Sequence, residues 1–142
     1  RREISDETLG FFNQCFSNDE ITSNGQKFLF RPRPLRPPIY IGGRAPHAIE
    51  RALKFGDGWL PMGSLAKLAP DIDRFKSVAA EQGHPGEVVT FATLNDDEPG
   101  SREIIETYRQ AGITRIIVGK PYSKAEEWLP TIEMIARLSE PV

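Results

Sequence analysis

Apolar positions along the chain alternate between helical spacing and short continuous runs, and the alternation repeats to the C-terminus. Near the start, Leu9, Phe12, Cys15 and Phe16 share one stripe, Ser5 can cap the first turn, and Asp6 and Glu7 suit its positive end. This predicts a helix over residues 6–17. Asn24-Gly25 then offers a turn before a short alternating segment in which Phe28 and Phe30 point the same way. Residues 31–38 read RPRPLRPP, and four prolines in eight positions forbid helix and favour an extended, polyproline-like strap.

Beyond the strap the pattern becomes regular. Ile39-Tyr40-Ile41 is a short β-favouring run closed by Gly42-Gly43. Pro46 suits a first helical turn, Ala48, Ile49, Ala52 and Leu53 keep helical spacing, and Gly56 supplies the stop. Trp59 to Met62 reads as a second strand, followed by a helix over residues 70–82 with Ile72, Phe75, Val78 and Ala79 on its buried face. Val88 to Leu94 is a third strand, and a helix begins near Ser101 and stops at Gly112. Thr114 to Val118 is a fourth strand. Ser123-Lys124-Ala125-Glu126 is a capping-box pattern opening a last helix, within which Pro130 predicts a kink or restart.

Four strands alternating with four helices at this spacing predict an α/β fold with a parallel sheet. In such folds ligands bind beyond the carboxyl ends of the strands, so the loops after Ile41, Met62, Leu94 and Val118 are the candidate site. Composition narrows the partners. The 142 residues carry 18 Lys and Arg against 20 Asp and Glu, spread rather than blocked, which argues against a nucleic-acid partner. A single cysteine, Cys15, cannot form an intramolecular disulfide or a cysteine-based zinc site, and a cytoplasmic setting is expected. No apolar run has the length of a membrane span or a signal peptide.

The chemistry candidates cluster after the first strand of the repeat. Gly42-Gly43-Arg44-Ala45 lies between strand and helix, where glycines let the backbone approach an anion, the helix start offers unpaired N–H groups and Arg44 adds charge. A tight strand-to-helix turn would use the same glycines, so both readings stand. The third glycine of a dinucleotide fingerprint is missing, and there is no Walker-type loop. His47 could bind phosphate or simply cover a helix end, and His84, beside Pro85 and Gly86, reads as a turn residue. Two separated histidines without HExxH give no metal site. Trp59 could present a ring to a planar ligand or serve as core. Lys120, Tyr122 and Ser123 follow the fourth strand and could touch an anion or form a solvated loop.

The stretch from Pro37 to Met62, PPIYIGGRAPHAIERALKFGDGWLPM, resembles the luciferase-like monooxygenase family, a flavin- or deazaflavin-dependent group. The proline-rich strap, PPI-x-IGG, a helix with paired Ala and Arg, and GDGW occur in the family's order. The segment from Gly25 to Phe28 and the run from Tyr108 to Ile113 extend the resemblance over most of the chain. It implies the C-terminal half of a (β/α)8 TIM barrel: residues 1–38 lead in, and residues 39–142 form four βα units corresponding to the fifth through eighth. It also implies an oxidoreductase or monooxygenase using FMN or coenzyme F-420, with Gly42, Gly43, Arg44 and Ala45 holding the cofactor phosphate and Trp59 near it. A whole barrel needs about 250 residues, so a homodimer or a missing N-terminal half is expected to complete this one. The other expectation is a non-catalytic half-barrel that binds a ligand or assembles with itself.

Overall fold

The structure is a computed structural model that describes residues 2–139. It opens with α1 (Arg2–Ser17) and a hairpin of β1 (Glu20–Ser23) and β2 (Gln26–Leu29). Then follow β3 (Tyr40–Gly42), α2 (His47–Phe55), β4 (Gly58–Leu60), α3 (Leu65–Glu81), β5 (Glu87–Ala92), α4 (Glu98–Gln110) and β6 (Arg115–Val118). A 3-10 turn (Ala125–Trp128) leads into α5 (Leu129–Ser139).

The strands β3 to β6 form one parallel sheet in chain order. Right-handed crossovers between neighbouring strands taken in order place every connecting helix on the same face. The core agrees: Ile41, Trp59 and Val88 from three strands pack with Ala48, Ile49 and Ala52 of α2 and Ile72 and Phe75 of α3. The other face carries exposed Phe91 and Ile117, which are direct register partners. One covered and one bare face, with strands in sequence order, is an arrangement compatible with part of a TIM-like barrel.

At Gly58, β4 runs tightly against β5. A Cβ there would lie 2.3 Å from the Glu87 carbonyl oxygen, so only glycine lets the two strands pair. Just before it, Asp57 fastens the strap to the sheet. Its carboxylate accepts the Ile39 N–H at 2.7 Å and two bonds from Arg36 Nη1, at 2.7 and 2.9 Å. Arg36 also donates to Asn13 Oδ1 of α1, and Asn13 donates to the Phe55 carbonyl at 3.0 Å. The proline-rich segment is thus a clamped strap joining α1, the end of α2 and the entry to the sheet.

Several expected boundaries move, each for a local reason. Helix α1 starts at Arg2, so Ser5 is inside it and caps nothing; with Asp6 it accepts hydrogen bonds from Arg51 of α2. Strand β1 went unrecognised, although its Ile21 is fully buried opposite Phe28. Helix α3 begins at Leu65 and contains Pro70, because Leu65 and Leu68 pack against the core and outweigh the one hydrogen bond that proline removes. Helix α4 is capped by Asp97, which accepts the Gly100 N–H at 2.8 Å, while Ser101 is buried and donates to the Asn95 carbonyl. Strands β4 and β5 end two residues before the expected Met62 and Leu94. Pro130 marks a restart: it is the second residue of α5, and Glu127 rather than Glu126 reaches back to the Ser123 N–H.

Candidate functional site

The carboxyl ends of the four strands form one rim. At its β3 side the chain leaves Gly42, turns through Gly43 and enters α2 at His47. Gly43 has φ +132, a left-handed conformation, and a Cβ there would lie 3.2 Å from Ala48 Cβ. The turn therefore requires glycine on two counts. Trp59 fixes it from the neighbouring strand, its indole N–H donating to the Gly43 carbonyl at 2.9 Å. Among the described residues the N–H groups of Arg44, Ala45 and His47 have no acceptor, and exposed Arg44 makes no ion pair.

A cleft of about 250 Å³ opens here. Gly43, Arg44, Ala45, Trp59, Met62, Leu68 and Asp71 line it. Four of the five expected cofactor residues thus share one cleft, and Gly42 sits at its entry as the last residue of β3. Trp59 is only 1% exposed and stacks edge-on against Phe75 at 6.1 Å, so it borders the cleft as a brace. Asp71 was not singled out from sequence. It lies inside α3, which starts at Leu65, and only the fold brings that helix beside the Gly43 turn.

The other candidates fall elsewhere. His47 opens α2 and its ring lies 3.5 Å from Glu50, so it covers the helix end. His84 braces the turn before β5: Nδ1 accepts the Gly86 N–H at 3.0 Å, which leaves Nε2 to donate to the Gly56 carbonyl at 2.9 Å. Lys120 lies at the β6 side of the rim, beside a separate cleft of about 180 Å³, and is engaged by Asp96 at 3.1 Å and Thr131 at 3.4 Å. Tyr122 packs against Trp128.

One polar group escaped sequence reasoning altogether. On the bare face, at the opposite end of the strands, the Tyr40 hydroxyl donates to Glu87 at 2.5 Å, and Arg115 approaches both. Burial first, and the Glu87 carboxylate second, push the Tyr40 phenol above its ordinary value, so it stays a proton donor at neutral pH. Strand register brings these three together from β3, β5 and β6, which linear spacing does not reveal.

The cradle can do one thing chemically. Unpaired amides, a glycine turn and a guanidinium without an ion partner are the kind of donor set that suits a phosphate or similar anion. No helix among the described residues is long and apolar enough to cross a membrane. A comparison with curated proteins finds no match. A family model described as luciferase-like monooxygenase matches residues 1–96, which include α1, the hairpin, the strap, the cradle and β5. This chain belongs to the luciferase-like monooxygenase family.

Proposed function

We propose that the chain provides the cofactor-phosphate side of a flavin- or deazaflavin-dependent oxidoreductase acting on a small molecule. One observation carries this reading: the Gly43 turn, held by Trp59, borders one cleft together with Arg44 and Ala45, whose amides have no acceptor among the described residues. The donor set suits a phosphate: among the described residues, amides without an acceptor and a guanidinium without an ion partner border the same cleft. FMN or coenzyme F-420, when bound, supplies hydride transfer or oxygen activation. The protein's part is positional: Gly42 and Gly43 give access, Arg44 and the Ala45 amide hold the anion, and Trp59 keeps the turn in shape. Asp71, which lines the same cleft, adds a negative charge that opposes a phosphate there.

In this reading the four βα units are the second half of a barrel, and the bare face with Phe91 and Ile117 is covered by a second copy or by an N-terminal half. The same bare face favours the alternative, a half-barrel that assembles or binds without catalysis. Titrating FMN, coenzyme F-420 and phosphate-free riboflavin against the chain separates them. Binding of a phosphorylated cofactor, lost with riboflavin and in Gly43→Val, supports the cradle. No binding of either cofactor at high micromolar concentration removes the cofactor role from this chain.

A further inference from the structure

Charge at the Gly43 cleft is balanced. Of the side chains that line it, only Arg44 and Asp71 are ionic, one of each sign. Arg44 is exposed, and Asp71 of α3 is half-buried. Neighbouring basic groups are engaged elsewhere: the His47 ring lies 3.5 Å from Glu50, and Lys120, at the β6 side of the rim, has Asp96 at 3.1 Å. The positive end of α2 adds about half a unit of charge. The cleft therefore offers a field for one negative charge rather than two.

Its donors are limited in the same way. Trp59 gives its indole N–H to the Gly43 carbonyl at 2.9 Å, and Met62 and Leu68 contribute only apolar surface. What remains is the Arg44 guanidinium and the N–H groups of Arg44, Ala45 and His47, which have no acceptor among the described residues. A phosphate esterified twice presents two terminal oxygens and one charge. Esterified once, it presents three oxygens and about −1.5 to −2 charges at neutral pH. The extra oxygen and charge of a monoester lose water beside Asp71 without gaining a donor, which weakens binding. A diester has a carbon substituent in place of that oxygen, and the apolar surface of Met62 and Leu68 suits it.

We infer that the cleft selects a phosphodiester over a phosphomonoester, and that Asp71 sets the preference. This rests on the phosphate cradle of the proposed function and names the ester class it takes. FMN carries a monoester and coenzyme F-420 a diester, so the preference falls on the deazaflavin. The test is a ligand-observed NMR titration of the 142-residue chain at neutral pH with phenyl phosphate, its singly charged methyl ester, and phenol. The methyl ester should bind about threefold more tightly than phenyl phosphate, the size of one partly screened charge contact, and phenol most weakly. Asp71→Asn should strengthen phenyl phosphate by about threefold and remove the preference. Two results overturn this inference alone: phenyl phosphate binding at least as tightly as its methyl ester while both exceed phenol, or a preference that survives Asp71→Asn. Phosphates that bind no better than phenol, or that ignore Arg44→Gln, overturn the cradle itself and this inference with it.

Discussion

Trp59 of β4 and Gly43, in the turn that follows the adjacent β3, are joined by a single 2.9 Å bond from the indole N–H to the glycine carbonyl. That bond turns a core residue into a determinant of the rim. Trp59→Phe keeps an aromatic ring but leaves the carbonyl unpaired, at a cost of about 1–3 kcal/mol. Denaturant unfolding should register this loss. Affinity for inorganic phosphate should fall in the same variant even though the ring never meets the ligand. Unchanged phosphate affinity would show that the turn keeps its shape unaided.

Asp71 lines the same cleft as Arg44 and makes a prediction of the opposite sign. Removing its charge in Asp71→Asn should tighten phosphate binding by about twofold to fivefold, the range of one partly screened charge contact. The effect should shrink as salt is raised. Weaker binding would mean that Asp71 assists the ligand.

At Gly58 the expected effect is on folding. A methyl group there meets backbone at 2.3 Å, which no side-chain rotation relieves, so Gly58→Ala must separate β4 from β5. The cost should reach about 3 kcal/mol or more. Thermal unfolding and circular dichroism should show a destabilised or unfolded chain. Gly25→Ala is the contrasting variant, since a Cβ there meets nothing within 4 Å and only the left-handed φ of +73 opposes it.

Asp19 makes the strap sensitive to acid. Hydrogen bonds from Arg31 and then Arg33 hold its carboxyl at about 2, against an ordinary 3.8. A carboxylate lowered in the folded state contributes stability above its ordinary range and loses that contribution as pH falls through the folded value. The contacts of Arg31 and Arg33 with Asp19 should therefore persist at neutral pH and release between about pH 4 and pH 2. A carboxyl-detected NMR titration should place the Asp19 midpoint near 2, and Arg31→Gln should raise it. A midpoint of 3.8 in the native chain would show that the two arginines do not engage it.

The sheet was the most legible part of the sequence, because β-branched runs such as Ile116 to Val118 and stops such as Gly56 act locally. Element starts were less legible, since distant partners set them. Ser5 looks like a cap until Arg51, 46 positions later, claims its hydroxyl. Pro70 looks like a first turn until Leu65 and Leu68 find the core. In the candidate site, Gly43 and Arg44 were readable because a strand-to-helix turn is local. Asp71 and the Tyr40, Glu87 and Arg115 group depend on which strands become neighbours. Trp59 was readable as important but not in its manner, because its bond to Gly43 crosses between strands.

The Asn13, Arg36 and Asp57 network lies where the strands begin, and the Gly43 cradle lies where they finish. Fastening and binding are therefore assigned to opposite poles of the same short strands. A chain built this way can exchange the residues of its rim from one relative to another without loosening the strap. Changes at Asp57 would register first in how firmly the fold holds, and changes at Arg44 in what it holds.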